Sequence, residues 1–120
     1  MAQVRKYTLT PTPYGPFRGI DASARLVFGL IWDRYRISAH SVMDGDDRWA
    51  DPDGEVFCIY AEVELAEHSG LTERTVRRCL NTLRDACLIR WHKTGFKGAN
   101  KYYPDLLARD YLTRAEKPTP

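Results

Sequence analysis

The chain has 120 residues, 43% of them hydrophobic and 28% charged, which suits one globular domain able to bury a core without staples. No apolar run approaches the roughly 20 residues of a membrane span, and Met1 leads into a polar stretch rather than a signal peptide, so a cytoplasmic protein is expected. The formal net charge of +2 conceals a division: from Asp33 to Glu67 ten acidic residues stand against Arg34, Arg36 and Arg48, whereas from Leu71 to Lys101 eight cations face only Glu73 and Asp85. Such separation predicts one face that attracts polyanions and another that repels them.

Residues 1–20 contain Pro11, Pro13, Pro16, Gly15 and Gly19 and are expected to form an extended N-terminal arm. Asp21 is an N-cap candidate for a helix over Ala22–Arg36, in which Leu26, Val27, Leu30, Ile31 and Tyr35 recur at helical spacing. Ser38–Asp47 reads as a polar connection. Arg48–Ala50 and Glu55–Ile59 then flank Asp51-Pro52-Asp53-Gly54, a turn signature that predicts a small β-hairpin. A calcium loop using Asp51, Asp53 and Glu55 is rejected, because Pro52 interrupts the ligand periodicity and no helix precedes it.

Val63–Cys87 is the most informative stretch. Ala61–His68 reads as a short helix presenting Val63, Leu65 and Ala66 inward, and Gly70 supplies the positive φ that reverses the chain. Thr72 caps a second helix, Glu73–Ala86, with Val76, Cys79, Leu80 and Leu83 on one narrow face. Arg74, Arg78 and Asn81 fall opposite, and Arg77 and Arg84 lie on a flank. A strand over Leu88–His92, a loop over Lys93–Asn100 with Gly95 and Gly98, and a returning strand over Lys101–Tyr103 follow. Asp105–Thr113 reads as a closing helix using Leu106, Leu107 and Tyr111, and residues 114–120 as a tail or linker.

A helix-turn-helix followed at once by a Gly-containing hairpin is a winged helix, whose second helix enters the major groove of double-stranded DNA. The expected fold is therefore α+β and mainly helical: a winged helix-turn-helix over residues 21–113, with an additional β-hairpin between the first helix and the helix-turn-helix. Arginine forks onto guanine O6 and N7, so Arg74 and Arg78 are the candidates for base edges, with Thr75 and Glu73, the latter accepting from cytosine or simply complementing the helix dipole. Thr72 and its helix N-terminus suit a phosphate. Arg77 and Asn81 suit bases or backbone. Lys93, Lys97, Asn100 and Lys101 are the wing contacts, Asn100 having turn-shaping as its competing role. Trp91 and Tyr102 read as core or cross-strand partners, and His92 as a strand-surface residue.

Cys58, Cys79 and Cys87 each sit inside an apolar pattern and predict reduced, buried thiols. There is no Cys-x-x-Cys pair, and His40, His68 and His92 show no ligand spacing, so neither metal nor cofactor is expected. No phosphate loop, nucleophile elbow or i,i+4 ligand pair points to an enzyme.

The segments RLVFGLIWDRYRIS, RWADPDGEVFCIY and LIRWHKTGFKGANKYY, with the helix-turn-helix between the last two, resemble the N-terminal domain of the replication initiator A proteins of Gram-positive plasmids. Asp33-Arg34, the Trp49, Asp51, Asp53, Gly54 and Val56 hairpin, and Asn100 with Tyr102 carry the likeness, from about Asp21 to Tyr103. The resemblance implies sequence-specific binding to repeated sites at a replication origin as a homodimer, with Arg74, Thr75, Arg77 and Arg78 on the recognition helix and Lys93–Lys101 on the wing. Family members carry a further C-terminal domain for contacts with replication proteins, so a fragment or a small stand-alone relative is expected. Cys87 stands where such domains usually carry glycine before Leu-Ile, so the helix end is expected to be capped differently. The Pro-rich arm departs from the usual start. The first helix and the arm are the candidate dimer surfaces. Two other functions fit the same residues: a stand-alone transcriptional regulator, and a winged helix that docks proteins without DNA.

Overall fold

The computed structural model describes residues 10–95 and 98–116. Helix α1 (Ala22–Met43) is its spine. The Asp21 carboxylate accepts the Ala24 N–H at 3.3 Å, and Ala24, Val27, Phe28 and Ile31 are wholly buried. The helix runs past the expected end at Arg36, because Ser38 and Ala39 continue its inward side and no breaker intervenes before Gly45. There the chain turns left-handed (Gly45 φ 96°), and the N–H groups of Gly45 and Asp46 return to the carbonyls of Val42 and Ser41. That pairing satisfies the last helical carbonyls. The polar connection expected over Ser38–Asp47 is thus mostly helix.

The hairpin predicted next is present in short form: Asp51 N–H donates to the Glu55 carbonyl at 2.9 Å and Phe57 N–H to the Trp49 carbonyl at 3.0 Å. Gly54 N–H donates to the Asp51 carbonyl at 2.8 Å, but only Ala50 and Val56 form a bridge. Asp47–Trp49 is a 3-10 turn, held by the Asp46 carboxylate, which accepts the Arg48 N–H. A side chain that bonds nearby backbone in this way competes with strand pairing. The second arm leads into β1 (Cys58–Ala61), which pairs antiparallel with β3 (Ala99–Pro104), and β3 pairs antiparallel with β2 (Ile89–Lys93). The sheet order is β1-β3-β2, so the segment before the helix-turn-helix supplies the third strand of the wing.

Helices α2 (Glu62–Ser69) and α3 (Glu73–Asp85) form the helix-turn-helix. Gly70 adopts φ 75° and its N–H caps α2 on the Ala66 carbonyl. Leu65 is buried, whereas Val63, expected inward, is 53% exposed. Thr72 accepts the Thr75 N–H at 3.1 Å as N-cap of α3. Trp91 faces Tyr102 directly across β2 and β3 with ring centroids 6.1 Å apart, and His92 lies on the strand surface, both as expected. Cys58 and Cys79 are buried, but Cys87 is exposed.

Helix α4 (Leu106–Glu116) packs through Ala108, Leu112 and Tyr111, leaving Leu106 and Leu107 exposed. It closes over residues 10–20, which do not form a free extended arm. Phe17 is wholly buried, its ring 4.9 Å from Phe28 and 6.3 Å from Tyr111, within a 3-10 turn over Gly15–Phe17. A Cβ on Gly15 would meet Tyr111 at 2.7 Å. Arg25 stitches this segment down by donating to the carbonyls of Pro11 and Ile20. With the inward side of α1 and the later arm residues both consumed by the core, neither is left as the dimer surface expected from the sequence.

Cys87 corrects another expectation. It takes φ 59°, and the N–H groups of Cys87 and Leu88 return to the carbonyls of Arg84 and Leu83 at 2.9 Å. The end of α3 therefore has the left-handed cap of a glycine, with a cysteine held in it. A non-glycine residue there costs about 1–2 kcal/mol, partly offset by the smaller freedom of its unfolded chain. Cys87→Gly is expected to stabilise the protein by about 0.5–1 kcal/mol, seen as a rise of a few degrees in the thermal midpoint. A lower midpoint would show that the cysteine side chain contributes more than its backbone strain costs.

Candidate nucleic-acid interface

Helix α3 is divided lengthwise. Val76, Cys79, Leu80 and Leu83 are at most 1% exposed, while Arg74, Arg77 and Arg78 are exposed and Thr75 and Asn81 half-buried. The division follows from the 3.6-residue period, which places the arginines away from the apolar stripe. At the N-terminus Thr72 and Glu73 are exposed, and the Thr72 hydroxyl donates to the Thr75 hydroxyl at 3.0 Å. Those two hydroxyls hold each other in place.

The three arginines differ in their surroundings. Among the described residues Arg74 makes no hydrogen bond or ion pair. Arg77 donates through Nε and Nη2 to Glu62 Oε1 at 3.2 and 3.1 Å. Arg78 donates through Nη1 and Nη2 to the two carboxylate oxygens of Asp21 at 3.4 and 3.2 Å. This contact holds the Asp21 carboxyl below the usual carboxylate range and pushes the Arg78 guanidinium up. Both are surface pairs, whose net contribution to folding stability is about 0–1 kcal/mol.

Glu62 is a node that the sequence reading missed. Its Oε2 accepts the Asn100 amide at 3.3 Å, and the same amide nitrogen donates to the Tyr102 hydroxyl at 2.9 Å. Asn100 is 1% exposed. It is therefore a strut between α2, α3 and the wing strand, not the wing contact expected from its position. Burial raises the Tyr102 hydroxyl well above its ordinary pKa, which keeps it protonated.

The wing's cations also divide. Lys93 is exposed at the end of β2, opposite Asn100. Lys97 lies outside the described residues. Lys101 points to the outer face of the sheet, 3.7 Å from Asp51 Oδ1 and 4.3 Å from the centre of the Phe57 ring. Arg90 shares that face, paired with Glu55 and stacked 4.2 Å over Tyr103. The Tyr103 hydroxyl donates to Asp51 Oδ2 at 2.7 Å, and burial with that carboxylate pushes its pKa up to about 12. Lys101 is thus engaged by the acidic turn instead of standing free on the wing. Alternation along β3 was the signal available: Lys101 must face away from Asn100 and Tyr102.

If Asn100 is a strut, Asn100→Ala leaves the half-buried Glu62 carboxylate and the buried Tyr102 hydroxyl short of a donor. The expected loss of stability in urea unfolding is about 1–3 kcal/mol. A change within about 0.5 kcal/mol, usual for a surface substitution, would contradict that role.

Among the described residues no helix is long and apolar enough to cross a membrane. Residues 11–115 match the family described as the replication initiator protein A (RepA) N-terminus. A search of curated proteins finds no match. Solved structures share the fold, among them the following three. One, "N-Terminal domain of DNA binding protein", is 16% identical, with a TM-score of 0.59 over 96% of this chain and 90% of that one. Another, "Structure of Rep-DNA complex", is 16% identical, with a TM-score of 0.59 over 96% and 91%. The third, "Structure of MDR initiator", is 14% identical, with a TM-score of 0.60 over 94% and 91%. At these identities the likeness shows a shared fold, consistent with the winged helix described above, and the sequence match goes further. This chain belongs to the replication initiator protein A N-terminal family.

Proposed function

We propose that this chain recognises double-stranded DNA at the repeated sites of a plasmid replication origin, with α3 in the major groove and the β2–β3 wing beside it. The observation that carries the reading is the one-sided burial of α3, which leaves Arg74, Arg77 and Arg78 facing outward on a helix capped by Thr72. Family membership supports it, as does the shared fold with a protein solved in a Rep–DNA complex.

The roles follow from the surroundings of each side chain. Arg74 and Arg78, one turn apart, are the base readers, and Thr75 and Asn81 border them. Thr72 and the exposed N-terminus of α3 take a phosphate, where free N–H groups and the helix dipole favour an anion. Arg77, braced by Glu62, and Lys93 clamp the backbone. Glu73 complements its own helix dipole. Lys101 contributes through the sheet and not through contact. In the cytoplasm, a homodimer of such domains spans half-sites about one helical turn apart. Its dimer surface lies elsewhere than the inward side of α1. Contacts with replication proteins belong to a further domain.

Binding to a duplex, followed by fluorescence anisotropy, is expected to weaken steeply with salt. About six phosphate contacts would cost roughly three decades of affinity between 50 and 200 mM. A flat salt response would contradict the proposal and favour a winged helix that docks proteins. Arg74→Ala is expected to relax preference at one base position, whereas Lys93→Ala weakens all duplexes alike and lowers the salt slope by about one. Identical behaviour of the two variants would refute the division into readers and clamps.

A further inference from the structure

Asp21 has two roles at once. Its carboxylate caps α1 through the Ala24 N–H at 3.3 Å and faces both Nη atoms of Arg78 at 3.2–3.4 Å. The two residues are 57 positions apart in sequence, so the contact exists only because α1 and α3 pack together. We propose that Asp21 is a positioning residue for sequence readout: it holds the Arg78 guanidinium in one direction, so that its remaining donors meet a base. The inference rests on the DNA-reading role of α3 proposed above.

Three observations carry it. Asp21 is itself immobilised, because the helix it caps is the spine of the core, with Ala24, Val27 and Phe28 wholly buried. The Arg78 Nε–H makes no hydrogen bond among the described residues, and its Nη2 otherwise meets only the weak acceptor Cys79 Sγ at 3.5 Å. The Nε–H and the second hydrogen on Nη1 thus stay free, and each can donate to a guanine acceptor, O6 or N7. Finally, the side chains of the pair are 52% and 46% exposed, where an ion pair adds little to folding stability. What the contact does supply is direction. A free arginine loses much rotamer freedom on binding, and a braced one has already lost it.

Bracing and masking make opposite predictions. Asp21→Ser keeps a good N-cap for α1 but removes the carboxylate. Duplexes selected by the unaltered protein from a random pool, and unselected duplexes, are then titrated at one fixed salt concentration. Asp21→Ser is expected to bind unselected DNA more tightly, having lost an anion, yet to discriminate the selected sites less well by about fivefold or more. In an Arg78→Ala background the same substitution should leave discrimination unchanged. If selected and unselected duplexes tighten equally, Asp21 only masks Arg78 and the inference is overturned. It is also overturned if discrimination falls equally with and without Arg78, which would mark a merely structural role. Failure of the unaltered protein to bind any duplex would instead remove the DNA-binding reading itself, and this inference with it.

Discussion

The burial of one side of α3 is the constraint on which the rest of the molecule depends. Val76, Cys79, Leu80 and Leu83 are clamped into a core shared with α1, Leu65 of α2 and Tyr102 of the wing. Burying a side chain of this size contributes roughly 1.5–3 kcal/mol, far more than any surface charge pair on the opposite side. The apolar seam therefore sets the rotation of the helix, and the arginines face outward as a consequence. Gly70 and Thr72 give the seam its geometry, one by reversing the chain and the other by satisfying the first turn of α3. The core beneath α3 thus fixes which side of the helix is exposed.

Electrostatics then decide which cations remain available. The acid-rich segment and the basic segment are not two separate faces of the molecule. Asp51 and Glu55 fold against the outer sheet face and engage Lys101 and Arg90, while Asp21 and Glu62 brace Arg78 and Arg77. Basic residues close in sequence thereby acquire different roles. Arg74 and Lys93 keep their full attraction for a polyanion, Arg77 and Arg78 are directed, and Arg90 and Lys101 hold the sheet to the acidic turn. An acidic partner network of this kind limits indiscriminate attraction to polyanions and favours contacts with defined geometry.

Features written in local chemistry were legible from the sequence. The 3.6-residue period of α3, its Thr72 cap and the glycine turn before it are local, and so are the wing strands and the family motifs. Features set by distant neighbours were not. The polar stretch after Arg36 stays helical because Ser38 and Ala39 meet the core, and the Pro-rich segment is ordered because Phe17 finds Phe28 and Tyr111. Cys87 takes a glycine's conformation where the chain closes the end of α3 on the Arg84 and Leu83 carbonyls and turns Leu88 and Ile89 into the core. Asn100 looked like a wing contact because asparagine suits loops, yet the register of β3 turns it inward onto Glu62 and Tyr102. Within the interface, the arginines were visible and their carboxylate partners were not, since Asp21 and Glu62 lie far from them along the chain.

Mapping backbone amide shifts as a duplex is added tests the central claim most directly, because it reports where on the surface DNA sits. The account predicts the largest changes along Thr72–Asn81 and around Lys93, with small ones at Arg90, His92 and Tyr103 on the acid-covered sheet face. Changes concentrated on that sheet face or along α4, with the exposed side of α3 left unperturbed, would contradict it.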